Sequence, residues 1–192
     1  MKKLLAVMLG VALILSMGSI AAAQSAGLEI HGIYGFQFSD DDAELEKGYG
    51  GGASFTFCLG EFVKLDLGGD YLHPELKDAE KNYVHLIPVT ATLRVGPQLG
   101  PVYLYGGGGA GYSFNILDFE GDIDDDLDLD DCFTYHACAG LEISFNEAKQ
   151  IGIRGEARYV WLEPEIELKP TGEKEDWNMD HIEARAGLFF YF

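Results

Sequence analysis

Beyond its first twenty residues this chain has no run of eighteen apolar residues, so no transmembrane helix is predicted. It also lacks the three-to-four-residue hydrophobic spacing of amphipathic helices, which argues against helical bundles and α/β layers. Basic charge is scarce: 13 Lys and Arg stand against 32 Asp and Glu, a formal net charge of −19, so nucleic acid is a poor partner. Cysteine is scarce and odd in number. Cys58, Cys132 and Cys138 show no C-x-x-C or zinc spacing, which disfavours a metal–thiolate centre and leaves at least one thiol unpaired. No G-x-S-x-G or close H-x-S pairing occurs, and the five histidines are scattered over the chain, so no enzyme and no cofactor is expected.

What is present begins with an export signal. Met1-Lys2-Lys3 is a short basic start of bacterial appearance, Leu4 to Ile20 an apolar stretch broken by Gly and Ser, and Ala21 to Ala23 a small-residue cleavage site. Residues 1–23 are therefore expected to be removed, leaving 24–192 as one domain. No cysteine follows the cleavage site, which argues against a lipid anchor.

The remainder alternates apolar and polar residues. Eight strands are predicted at 27–38, 49–58, 62–73, 83–95, 102–114, 132–145, 150–161 and 180–192, with connections of 10, 3, 9, 6, 17, 4 and 18 residues. Such strands are longer than soluble ones and suit a tilted crossing of a bilayer. Long and short connections alternate, as in an up-and-down barrel whose tight turns face the periplasm and whose long loops face outward. The expected fold is an all-β, eight-stranded antiparallel up-and-down transmembrane β-barrel.

Each strand has one charged and one apolar face. A soluble barrel would point the apolar face inward; a membrane reverses it. Most acids fall in the long segments, whereas within the strands the two signs nearly match, as a narrow lumen requires. Eight strands leave a bore that side chains can fill. The predicted lumen set is Glu29, His31, Lys64, Asp66, Asp70, Arg94, His136, Glu142, Arg154, Glu156, Arg158, Glu183 and Arg185.

VYLYGGGGAGYSF (102–114) has no following helix and no G-K-[ST], so it reads as a bent strand with close packing rather than a phosphate loop; its flanking Tyr103, Tyr105, Tyr112 and Phe114 suit interfacial girdles. In GDIDDDLDLDD, Asp122, Asp124 and Asp126 are a weak metal candidate, because Leu127 and Phe133 stand where an EF-hand needs Gly and Glu. The acidic loops would collect divalent cations loosely and could meet lipopolysaccharide through them. Cys132 and Cys138 lie on one strand too far apart to pair, and free thiols are expected. Pro88 falls inside a strand of a closed wall, and with Leu86 and Ile87 it marks a bulge or local opening.

HLIPVTATLRVGPQLGPVYLYGGGGAGYSF and AGLEISFNEAKQIGIRGEARYVWL resemble the OmpW-like and general outer-membrane β-barrel families: a proline-bearing strand, then Y-x-G-x-G-x-x-Y, then R-Y-x-W. The closing RAGLFFYF resembles the terminal assembly strand of such barrels at Arg185, Gly187, Phe190 and Phe192. The resemblance implies an outer-membrane location, contact with its lipid and lipopolysaccharide, and reading by the barrel-assembly machinery. The charged lumen looks more like the plugged OmpA- or OmpX-type barrels. The expected role is therefore structural or surface interaction. The alternative is an OmpW-like channel for small hydrophobic molecules with lateral exit through the wall.

Overall fold

The structure, a computed structural model, describes residues 25–36, 45–76, 83–118, 127–168 and 173–192. The expected signal peptide and Asp122, Asp124 and Asp126 lie outside the described residues.

The strands are β1 (Ser25–Phe36), β2 (Leu45–Cys58), β3 (Val63–Leu76), β4 (Tyr83–Val95), β5 (Gln98–Leu99), β6 (Val102–Asp118), β7 (Leu127–Leu129), β8 (Cys132–Ser144), β9 (Ile151–Leu162), β10 (Glu165–Leu168), β11 (Glu173–Asp176) and β12 (His181–Tyr191). Eight of them, β1, β2, β3, β4, β6, β8, β9 and β12, pair antiparallel in a closed ring. β1 joins both neighbours, with Leu28 opposite Phe55 on β2 and Phe190 on β12. The other closure is β4 on β6, with Thr92 opposite Gly109. Closure removes the edges that an open sheet exposes.

The wall runs further than the alternation predicted. β2 begins at Leu45 and β6 continues to Asp118, where it still pairs with Tyr83. Ladder bonds do not depend on side-chain polarity, so the pairing persists past the point where the alternation fades. The long connections also carry structure: β7, β10 and β11 form a separate three-stranded sheet at the loop end. At the opposite end the short turns gather with the chain terminus, Gly96 donating to Phe62, Ser144 to Pro101 and Phe192 to Ala26. Gly60 and Gly100 there adopt positive φ of 146° and 61°, a conformation that favours glycine.

Burial alternates residue by residue and settles the direction of the faces. On β9, Arg154, Glu156 and Arg158 are buried, while Ile151, Ile153, Ala157, Tyr159 and Trp161 are exposed. The exterior shows Leu28, Ile30, Leu93, Leu104, Leu188 and Phe190, with Ile30 64 % exposed. A continuous apolar exterior around a charged interior is unfavourable in water and favourable in hydrocarbon. Tyr112 faces outward, where it packs edge-on against Phe114 and Phe133. Tyr103 and Tyr105 correct the girdle expectation. Both are buried in the lumen, because residues 103 and 105 share parity with the inward Ser113 and Asn115.

Glycines on the inner row make room for this filling. A Cβ on Gly109 would lie 2.1 Å from the carbonyl oxygen of Ala91 and 2.7 Å from the His136 ring. Gly109→Val is expected to destabilise the barrel by about 1–3 kcal/mol through overpacking, read as a lower urea midpoint in detergent or lipid.

Candidate functional site

Along the inner rows of β1, β3, β4 and β9, residue character changes with height. Nearest the turns, Lys64 reaches Glu142 and sits 4.2 Å and 4.6 Å from the ring centres of Tyr103 and Tyr191. Glu142 also takes Arg94, and Arg94 donates to Asp66 at 2.7 Å. Asp66 accepts from Arg154 at 3.1 Å and from Thr56 at 2.8 Å. Arg154 pairs in turn with Glu29. The chain continues through His31, 3.3 Å from Glu29 and 2.9 Å from Asp70, then Arg185 and Glu183. A branch joins Glu156 to Arg158 at 2.8 Å and to the Tyr105 hydroxyl at 2.8 Å.

All eleven charged residues singled out for the lumen are buried, and the structure brings them into this one column, with His31 and His136 beside them. Signs alternate along it, so each charge withdrawn from water has an opposite neighbour, and most have further hydrogen bonds, the condition under which burying them is tolerable. The column holds six carboxylates and five permanent cations, and both nitrogens of His31 face carboxylates. Arg94 is 0 % exposed at its centre. Below it a vestibule of about 430 Å³, lined in part by Lys64, Glu142, Tyr191 and Phe192, opens at the turn end and stops at the column.

The charged column ends partway up. Toward the loops the inner rows of β1, β3, β4 and β9 change to Ile33, Leu72, Val84, Leu86, Val160 and Leu162, all buried. Leu129 and Met179 join them, and Cys132, Ile166 and Trp177 pack on top as a cap. The charged column therefore fills the turn side of the lumen, and above it this apolar tier shares the loop side with buried Ser113, Asn115, Thr134 and His181. The sequence held the signal, because the apolar residues keep the parity of the charged ones, but strand-end apolars were not assigned a face. Leu86 accordingly points inward rather than into the wall. Between the apolar tier and the column lies a cavity of about 20 Å³, room for about one water. Leu72, Leu86, Pro88 and Val160 line it above, with His181 level with Val160, and Arg158, Glu183 and Arg185 line it below.

The wall beside that cavity is incompletely paired. β3 and β4 match from Val63 with Val95 through Gly69 with Val89, then only at Leu72 with Leu86 and Glu75 with Tyr83. On its other side β4 matches β6 at every residue from Tyr83 to Val95, including Pro88 opposite Ser113. The break therefore falls on the β3 side, and both flanking strands carry a proline there, Pro74 and Pro88, each without an N–H to give. Ile87 faces outward at this seam. Outside it, the rings of Tyr71, His73 and His85 stack across the two strands, a cluster the sequence reading did not single out. The three cysteines are free thiols.

The profile of the outer membrane protein beta-barrel domain matches residues 8–190. The chain belongs to the outer-membrane β-barrel domain family. It resides in the bacterial outer membrane, where family topology puts the short turns on the periplasmic side and the long loops outside. Among solved structures it is similar to OprG from Pseudomonas aeruginosa, with 15 % identity, TM-score 0.70 and 88 % of this chain covering 97 % of that one. Neisserial surface protein A is similar at 14 % identity and TM-score 0.62, over 88 % of this chain and 97 % of that one. The E. coli outer membrane protein W matches at 14 % identity and TM-score 0.55, over 90 % and 100 %. No curated protein matches the sequence significantly. At these identities the likeness is one of fold: small outer-membrane barrels without helices.

Proposed function

We propose that this barrel is a non-enzymatic conduit that takes small apolar molecules in at its extracellular end and releases them sideways into the membrane between β3 and β4. One observation carries the reading: the apolar tier ends on a charged floor directly behind the seam where the wall ladder is broken, with Pro88 lining both. An apolar molecule gains by burial against Leu72, Leu86, Val160 and Leu162, at about 25 cal/mol per Å² of its surface. It meets a steep cost on descending into the paired charges, so the exit of lowest cost is lateral. Access requires the cap at Trp177 and Met179 to swing aside. The expected structural or surface-interaction role is the second reading, favoured by the completeness of the ion-pair column. In planar bilayers the column should give no ionic current. Steady current through the unaltered protein would remove the sealed floor on which both readings depend.

We also read the chain's closing segment as the signal for the assembly machinery, with Arg185, Gly187 and Phe190 on β12 and Phe192 just beyond its end. Phe192 and Phe190 lie on the outer face in aromatic contact, and the Phe192 backbone bonds Ala26 to complete the ring. Deleting Phe192 is expected to lower the folded fraction in cell envelopes, seen as loss of the heat-modifiable band, while refolding in detergent proceeds. Equal loss in both settings would mean that the residue serves closure alone.

A further inference from the structure

Three side chains that can donate or accept crowd together on the outer face of the seam. Nδ1 of His85 lies 2.7 Å from the Tyr71 hydroxyl and 3.2 Å from Nδ1 of His73. A ring nitrogen offers one proton or one lone pair, so it serves one well-aligned hydrogen bond at a time. Here it has two close partners, and one of them is an imidazole nitrogen under the same restriction. The β3–β4 register places His73 directly opposite His85, since Leu72 matches Leu86 and Glu75 matches Tyr83. Side chains at such positions project together from one face.

That spacing suits a shared cation. Two imidazole nitrogens about 2.0–2.1 Å from one tetrahedral ion stand roughly 3.3 Å apart, close to the separation found. The Tyr71 oxygen needs to move out by about half an ångström to take a third position, and water completes the shell. No group of three or more His, Cys, Asp or Glu side chains is arranged to hold a metal ion among the described residues, and here the third donor is a phenol. Imidazole ligands select transition metals over calcium or magnesium, with Cu²⁺ held more tightly than Zn²⁺. His73 and His85 lie near the extracellular ends of their strands and are only half-buried, so an ion can reach them from water.

We propose that His73, His85 and Tyr71 form a site for a divalent transition metal, Zn²⁺ or Cu²⁺, which ties β3 to β4 across the interrupted ladder. The site stands whether or not anything passes through the wall. A bound ion supplies at this height the inter-strand link that the ladder lacks, and the seam becomes its most constrained part rather than its least.

The test uses the full mature chain without a histidine tag, folded in detergent, with Cu²⁺ alone as the probe. Electron paramagnetic resonance should show one copper per chain with hyperfine structure from two imidazole nitrogens. His73→Gln and His85→Gln should each remove that signal and weaken binding by at least roughly 10–100-fold, while Tyr71→Phe keeps both nitrogens. Each variant's fold is checked by heat-modifiability, and the altered side chains lie outside the lumen packing. With Zn²⁺, amide hydrogen exchange should slow at residues 70–73 and 85–88 in the unaltered protein and not in His85→Gln. Copper held by oxygen ligands only, or a two-nitrogen signal that survives both histidine variants, would overturn the site. Exchange at the seam unchanged by Zn²⁺ would overturn the link between strands.

Discussion

Cells carrying a Tyr71→Cys, Ile87→Cys protein, with the native cysteines changed to serine, should take up an apolar dye when reduced and lose that uptake to the level of cells without the protein when oxidised. The register through Gly69 with Val89 and Leu72 with Leu86 sets residues 71 and 87 opposite one another. Both face outward, at a cross-strand spacing of about 4.5–5.5 Å that a disulfide can bridge. The bond replaces the missing pairing with a covalent clamp and leaves the lumen untouched. If the seam is the exit, the loss is complete and reductant reverses it. Uptake that continues unchanged through the oxidised protein places the exit elsewhere.

Arg94→Ala should cost about 3–5 kcal/mol of folding stability, measured as the shift in urea unfolding in lipid vesicles. The guanidinium has no exposure and meets Asp66, Glu142 and the face of Tyr105, whose ring centre is 4.9 Å away. Its removal leaves two carboxylates short of a cation where water cannot replace it. The balanced change Arg94→Met with Glu142→Gln removes one charge of each sign and should cost much less, because a buried pair contributes little net stability while half a pair is strongly unfavourable. Similar losses from the two variants would mean that packing, not charge pairing, sets the value of the column.

The ring of strands and its orientation were legible because a membrane barrel writes them at period two: Arg154, Glu156 and Arg158 against Ile153, Ala157 and Tyr159 admit one sorting. The lumen charges were legible for the same reason, since a long charged side chain in a lipid-facing wall has few other places to go. Ile33, Leu72, Val84 and Leu86 were harder, because an apolar residue fits either face of such a wall and only register assigns it. Tyr103 and Tyr105 misled for a related reason. Tyrosine belongs equally to an interfacial girdle and to a lumen where Glu156 accepts its hydroxyl. Pro88 signalled an irregular wall, but which neighbour lost its pairing depends on the direction of the missing N–H. The facing of His73 and His85 depends on the β3–β4 register across the loop between them, which alternation within either strand does not record.

The proposed path requires that a small apolar molecule enter the apolar tier on the loop side and stop at the charged column below it. It is tested most directly by methyl and amide NMR of the protein in lipid nanodiscs with a small spin-labelled alkane added. Strong broadening is expected at the inward methyls of Leu72, Val84, Leu86 and Val160, and none at Lys64, Arg94 and Glu142 beyond the background of the lower lumen. Inward methyls broadened no more than those lower residues would contradict it.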